Sequence, residues 1–435
     1  MSRRWITLAL PALIAAAVPT PAAGAAPYVP GEVIVKLEGQ HFGRAVELPA
    51  GTGVRAAAAA LRRNPRVRYA APNWIATVSA IPDDPGTPPG RRGRAGNWVR
   101  KQWNFLPCGR LCSPASPRRR YQSRGGINAI AAWSNLRRAG HPGAAGVTIA
   151  VLDTGVAYRT RGRFRRSPDF APSQFALGRD FVADDALAID ENGHGTHIAG
   201  TIGERTDNGI GVTGLAHRAR LIPVRVLNSA GRGRADEIAA GIRYAARMRA
   251  DVINLSFNFP CGATVPGVED AIRFAHRRGA VVVASVGNSS TEDCVSPPAT
   301  APHTIGVGGT TEGGCLGFYS LRGPDVDLVA PGGGGAPGAC PSSSSRPILQ
   351  VTYRIGSTRW FGLPRIYVGT SMSAAHVAGV AGMVIASGVL GPRPSPREVL
   401  DRLQASARDL GPAGYDTAFG AGLVDAARAT DPDFP

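Results

Sequence analysis

Val147-Thr148-Ile149-Ala150-Val151-Leu152-Asp153-Thr154-Gly155 is the stretch on which the fold turns. Its first six residues form an apolar, β-branched run of the kind that is buried on both faces of a parallel sheet. The run ends on Asp153, which places a carboxylate at a strand's carboxyl edge, where clefts open in α/β proteins. Outward from it, strand-like runs near Leu221, Val252, Val281 and Thr304 alternate with helical segments near His194, Ala235, Pro266 and Ser371. That alternation predicts an α/β fold: a doubly wound, mainly parallel sheet with helices on both faces. With 435 residues the chain is long enough for one large core.

Two further motifs follow, Asn192-Gly193-His194-Gly195-Thr196-His197 and Gly369-Thr370-Ser371-Met372-Ser373. A serine hydroxyl is a weak nucleophile at neutral pH, so an imidazole must take its proton and later return it to the leaving group. A buried carboxylate fixes the imidazole's tautomer and stabilises its charged form. Asp153, His194 and Ser371 supply those three parts, in a chain order distinct from that of chymotrypsins and α/β-hydrolases. Singly, each motif has a plainer reading. Asp153 could cap a helix, and Asp-Thr-Gly also marks aspartic proteases, which need two copies where this chain has one. His197 and His376 read as packed, hydrogen-bonded residues. Small apolar residues from Ala374 to Ala386 predict a tightly packed buried helix, whose amino end offers the Ser371 N–H to an anionic intermediate. Val377 to Leu390 is too short and too rich in alanine and glycine to span a membrane.

These segments, in this order and joined by Ser285-Val286-Gly287-Asn288-Ser289, resemble the subtilisin-like (S8, subtilase) serine endopeptidases from about Gln102 to Val424. The resemblance implies that Asn288 and the Ser371 N–H form the oxyanion hole. It also implies that Gly231-Arg232-Gly233 pairs with an extended peptide or protein substrate as an added strand, the alternative being an ordinary strand-to-helix loop. Ser256-Phe257-Asn258 is then the opposite wall, with Asn258 where the family usually has glycine. Ser289 and Ser296 fall at the base of the specificity pocket beside Pro297-Pro298. No carboxylate falls there, so cleavage after uncharged, mainly apolar residues is expected. Ala375 stands where the family usually carries proline. The one cofactor implied is structural calcium, with Asp169 and Asn208 as ligands in loops that otherwise read as ion-free turns. The acidic residues Asp184, Asp185 and Asp190 read as a solvated loop or a second ion site.

A basic start, an apolar stretch from Ile6 to Val18 and Ala23-Gly24-Ala25 read as a signal peptide over residues 1–25, implying secretion. Residues 26–80 read as a small α+β domain similar to the family's inhibitory propeptide, its tail from Ile75 to Ala80 lying in the substrate groove and cut by Ser371 within about Ala76 to Asp84; the alternative is a permanent accessory domain. Residues 81–124, rich in Pro, Gly and Arg, read as a surface arm, and 125–435 as the catalytic domain. Six cysteines suit an oxidising compartment and suggest local pairs Cys108–Cys112, Cys261–Cys294 and Cys315–Cys340, though sequence leaves connectivity open. The net charge is +18, almost all of it from arginine scattered over loops without interleaved aromatics, so a nucleic-acid partner is not expected. Attraction to acidic polymers or proteins stays open. The expected state is a monomer with its own propeptide as partner in cis and, once the leader is removed, no membrane.

Overall fold

The computed structural model describes residues 28–77, 98, 101–108, 122–292, 294–338, 340 and 345–434. The expected signal peptide and most of the expected arm lie outside them. An N-terminal unit runs β1 (Tyr28–Leu37), β2 (Arg44–Glu47), α1 (Val54–Leu61) and β3 (Val67–Thr77). β1 pairs antiparallel with β2 and β3, and a small core of its own gathers Val33, Val35, Val54, Ala57, Ala58, Val67 and Ala70. The alternation of Glu32 to Leu37 and the alanine-rich run after Gly53 account for this α+β unit.

The larger unit runs α2 (Ala129–Arg138), β4 (Thr148–Asp153), β5 (Arg179–Asp180), α3 (His194–Gly203), β6 (Arg220–Arg225), β7 (Arg232–Arg234), α4 (Ala235–Arg247) and β8 (Val252–Leu255). It continues with α5 (Pro266–Arg277), β9 (Val281–Ser285), β10 (Thr304–Thr310), β11 (Leu328–Pro331), β12 (Thr352–Tyr353), β13 (Phe361–Gly362), α6 (Thr370–Ser387), α7 (Pro396–Ser406) and α8 (Ala426–Ala429). Seven strands form one sheet in the order β11-β10-β9-β8-β4-β6-β5, parallel throughout. The decisive run, β4, sits between β6 and β8, in register Asp153 to Arg225 and Leu152 to Leu255. The chain leaves β4 in both directions across the sheet, so its carboxyl end is the topological switch point at which α/β clefts form.

Helices α4 and α5 pack on one face of the sheet, α3 and α6 on the other. Helix α6 is apolar around its whole circumference and buried along nearly its whole length, as befits the central helix of a large core. Its small residues permit close packing: a Cβ at Gly382 would lie 2.8 Å from Ile149 Cδ1 of β4. Composition misleads in the stretch read as a surface arm, because Trp103, Asn104 and Phe105 within it are wholly buried. Trp103 donates to Pro347 O and Asn104 bonds His376 Nε2, so this short segment belongs to the catalytic core. Cys261–Cys294 and Cys315–Cys340 are disulfide-bonded as expected, whereas Cys112 lies outside the described residues. The Pro297–Pro298 peptide is cis.

Candidate active site

Asp153, the last residue of β4, is fully buried, and its carboxylate oxygens lie 2.8 and 3.0 Å from His194 Nδ1. Thr154 N also donates to Oδ1 at 2.7 Å, which fixes the carboxylate from a second side. His194 is the first residue of α3 and almost wholly buried. Helix α3 can come this close to β4 because residue 195 has no side chain: a Cβ there would lie 2.1 Å from Gly155 O and 3.1 Å from Asp153 Cβ. With Nδ1 acting as donor to the carboxylate, the imidazole lone pair is on Nε2, a buried atom with no hydrogen-bond partner.

Ser371 occupies the second position of α6 and is fully buried. Here the geometry departs from a serine already bonded to the histidine. Ser371 Oγ donates to Ser256 O at 3.0 Å, while Ser256 Oγ donates to Ser371 O at 2.8 Å. The hydroxyl has one proton, and the backbone carbonyl just past β8 holds it. Catalytic hydrogen bonds are commonly loose until substrate arrives. Asn288, just past β9, accepts at Oδ1 from Thr370 N at 2.9 Å and Thr370 Oγ1 at 3.0 Å. Since an N–H needs an acceptor, this sets the sense of the amide, with its NH2 edge turned from Thr370.

The groove has two described walls. Strand β7 pairs antiparallel with β3, opposing Ile75 to Arg234, Ala76 to Gly233 and Thr77 to Arg232. The stretch Gly231-Arg232-Gly233 therefore includes a sheet edge that accepts an extended strand, and it is not a mere connecting loop. In the other wall, Phe257 is wholly buried and Asn258 is turned into the protein: its Nδ2 donates to Ser285 O at 2.5 Å and its Oδ1 accepts from Ser285 Oγ at 3.1 Å. Ser289 Oγ accepts from Thr291 N and Glu292 N at 3.1 and 2.9 Å, so it organises its own turn. Ser296 is buried, with its Oγ 3.1 Å from the position a Cβ would take at Gly287.

Asp169 and Asn208 come together, yet Asn208 presents its nitrogen: Nδ2 donates to Asp169 Oδ1 at 2.6 Å, and its oxygen accepts from Ile210 N at 2.9 Å. Burial pushes the Asp169 carboxyl up to about 7. Glu204 is also fully buried, its Oε1 has no hydrogen-bond partner, and burial followed by the charge of Asp169 pushes it well above the usual range. Neither carboxylate forms an ion pair with lysine or arginine among the described residues. Two buried acids without a counter-ion fit a hard cation, provided the Asn208 amide turns over. Among the described residues no three His, Cys, Asp or Glu side chains are grouped as a metal centre.

Sequence reasoning missed two residues here. Glu204 carried no signal beyond its type. Asp190, read in a solvated loop or an ion site, is fully buried and caps α3: it accepts from Thr154 Oγ1, Asn192 N, Gly193 N, Thr196 N and Thr196 Oγ1 at 2.6–3.0 Å. An aspartate just ahead of a helix was the available clue. Asp184 and Asp185 pair instead with Arg179 and Arg161. His197 and His376 are packed as expected, hydrogen-bonded to Ile348 O and to Met372 O, with burial pushing them down to about 3 and about 4.

The subtilase family model matches residues 144–422. A thermophilic serine proteinase from Bacillus sp. (strain AK1) is 30% identical over 77% of this chain and 67% of its own length. Subtilisin BL from Lederbergia lenta is 35% identical over 66% of this chain and 91% of its own. A solved structure among proteases from Pseudoalteromonas arctica PAMC 21717 superposes with a TM-score of 0.58 at 30% identity, covering 70% of this chain and 94% of that one. With the parallel sheet, the Asp153–His194 pair and Ser371 at its helix amino end, these likenesses show that the chain belongs to the subtilase family of serine endopeptidases.

Proposed function

We propose that the chain is the precursor of a secreted endopeptidase in which Ser371, His194 and Asp153 hydrolyse peptide bonds through an acyl-enzyme. The observation that carries this is the His194 imidazole, bonded to Asp153 through Nδ1 with a buried, unpartnered Nε2. As substrate settles, the Ser371 hydroxyl leaves Ser256 O for Nε2, and Oγ attacks the scissile carbonyl while Nε2 takes its proton. The carbonyl oxygen becomes an oxyanion that accepts from the Ser371 N–H and the Asn288 amide. Collapse expels the amine, which receives the proton from Nε2. Water then repeats the sequence and releases the acid. The wall formed by Ser256, Phe257, Asn258, Ser289 and Ser296 carries no carboxylate, which favours an uncharged residue before the cut.

Residues 26–80 act as an inhibitory propeptide. Three residues of β3 already occupy the edge that a substrate would use. The unit is further fastened by Lys36 Nζ on Asp270 of α5 at 2.6 Å, Asn73 Nδ2 on Asp236 of α4 at 2.9 Å and Trp74 Nε1 on Thr264 O, just ahead of α5, at 2.8 Å. A sheet of distant parallel pairings folds slowly, and a unit that binds the folded state favours it. Because Ile75 to Thr77 are engaged along β7, self-cleavage falls beyond Thr77. A structural calcium would be held by Asp169 and Asn208 with Glu204 nearby, and when bound it supplies positive charge to two buried carboxylates. A relative named as the cell wall-associated protease of Bacillus subtilis (strain 168), 35% identical over 60% of this chain, agrees with an extracellular place of action.

The test is to express the precursor and its Ser371→Ala variant with no other protease present and to weigh both by mass spectrometry. The wild type should split beyond Thr77 and the variant should stay whole. Identical processing of both would refute self-maturation.

A further inference from the structure

The catalytic residues are followed across the groove by a feature that the mechanism does not use. Strand β3 runs from Ile75 to Thr77 along Arg234 to Arg232, heading towards Ser229. Ser229 O accepts from Asn192 Nδ2 at 2.9 Å, which joins this edge to the start of α3. On past Gly193 stands the hairpin of β12 and β13, where Thr352 Oγ1 donates to Gly193 O at 2.5 Å. A peptide laid in the direction of β3 thus has its acyl half on β7 and sends its leaving half towards this hairpin.

The hairpin's tip is unusual in composition. Ile355 and Trp360 are 62% and 61% exposed, and Arg359 lies over the Trp360 ring at 5.3 Å. The neighbouring loop is fastened to it, with Arg165 N donating to Thr358 O at 3.2 Å and Tyr353 Oη to Arg165 O at 3.3 Å. Arg163, Arg165, Arg354 and Arg359 are all exposed, and none has a carboxylate partner among the described residues. The acids whose charges reach this region are already taken: Asp185 by Arg161, Glu191 by Arg225, and Asp190 by the donors around the start of α3. An apolar tip ringed by cations without a carboxylate partner is therefore carried on a hairpin whose base packs against Gly193, the residue ahead of His194.

We propose that the hairpin from Thr352 to Gly362, with Arg163 and Arg165, is a leaving-group subsite that selects acidic polypeptides. Carboxylates in the segment after the scissile bond pair with Arg354 and Arg359, and an apolar side chain among them rests on Trp360. Complementary charge of this kind acts on encounter and orientation, so it selects substrates without altering the chemical step. The proposal rests on the endopeptidase reading of the site.

The experiment uses the mature enzyme and internally quenched peptides that share one acyl half. Their leaving halves contain either Asp and Glu around a leucine, the Asn and Gln isosteres, or lysines. The acidic peptide should show a kcat/KM about tenfold above its amide isostere at low salt. That ratio should fall towards one in 1 M salt, where screening is nearly complete beyond ~3 Å, and in Arg354→Ser/Arg359→Ser. Arg354→Glu/Arg359→Glu should reverse the preference towards the lysine peptide. An acyl-half p-nitroanilide, which has no leaving peptide, should be cleaved equally by every variant. No cleavage of the anilide by wild type would defeat the endopeptidase reading itself. Normal anilide cleavage with no acidic preference, or a preference that survives both double variants, overturns the subsite. So does a peptide ratio of one together with arginine-dependent binding of polyphosphate, which would give the surface to an anionic polymer.

Discussion

A single imidazole sets the chemistry, and its surroundings say which substitutions matter. Asp153→Asn would present the wrong donor to Nδ1 and leave Nε2 protonated, so kcat should fall by about 10⁴ with the fold intact. Replacing Asn288 by leucine should lower kcat by about 10²–10³ with KM little changed, a magnitude carried over from subtilisin itself. Steady-state kinetics on one peptide substrate checks both. Asp190 is fully buried and holds four donors at the start of α3 and a fifth, Thr154 Oγ1, beside Asp153, so Asp190→Asn should lower kcat and thermal midpoint together. These residues differed in how far the sequence revealed them. Asp153, His194 and Ser371 each lie in a short local pattern of glycine and small residues, so reading neighbours sufficed. Asp190 and Glu204 act through burial, and burial is decided by segments far along the chain.

Among elements, the proposed release of the N-terminal unit would be controlled at its contact with α4. Arg234 bonds Glu32 of that unit as well as Asp236, with Glu237 at 3.6 Å. One arginine thus faces three acids, and Glu237 is pushed up to about 7, first by burial, then by the charge of Asp236 and, to a lesser degree, of Glu32. The charge of Glu32 is the part of this rise that leaves with the N-terminal unit, so Glu237 holds its proton more firmly in the complex than in the separated form. By that contribution propeptide affinity is greater below about pH 7 and declines as pH climbs through it. Titrating inhibition of the mature enzyme by the isolated 26–80 segment from pH 4.5 to 8 should show this decline, and Glu237→Gln should flatten it. The strands β4, β6, β8, β9 and β10 were legible because buried runs such as Val281 to Ser285 have one environment along their length, whereas the short edge strands β5 and β11 were not read. The hairpin of β12 and β13 was not, since its strands of two residues each carry no periodicity. Trp103 to Phe105 sits in a stretch whose Pro- and Arg-rich composition pointed to a surface arm, although the family resemblance already began at Gln102.

For the molecule as a whole, the buried pair of Asp169 and Glu204 predicts dependence on a cation. Adding millimolar calcium to chelator-treated enzyme at pH 8 should raise the thermal midpoint by several degrees, and Asp169→Asn should abolish the rise, as differential scanning calorimetry would show. The proposed catalysis, inhibition and selection of acidic substrates all depend on one convergence at the carboxyl end of the sheet, where α3 and α6 begin. The most direct measurement is to treat the mature enzyme with a fluorophosphonate and map the adduct by mass spectrometry. A single phosphonylated residue, Ser371, is expected, with labelling lost in His194→Ala. Label on another serine, or undiminished labelling without His194, would contradict the proposed triad.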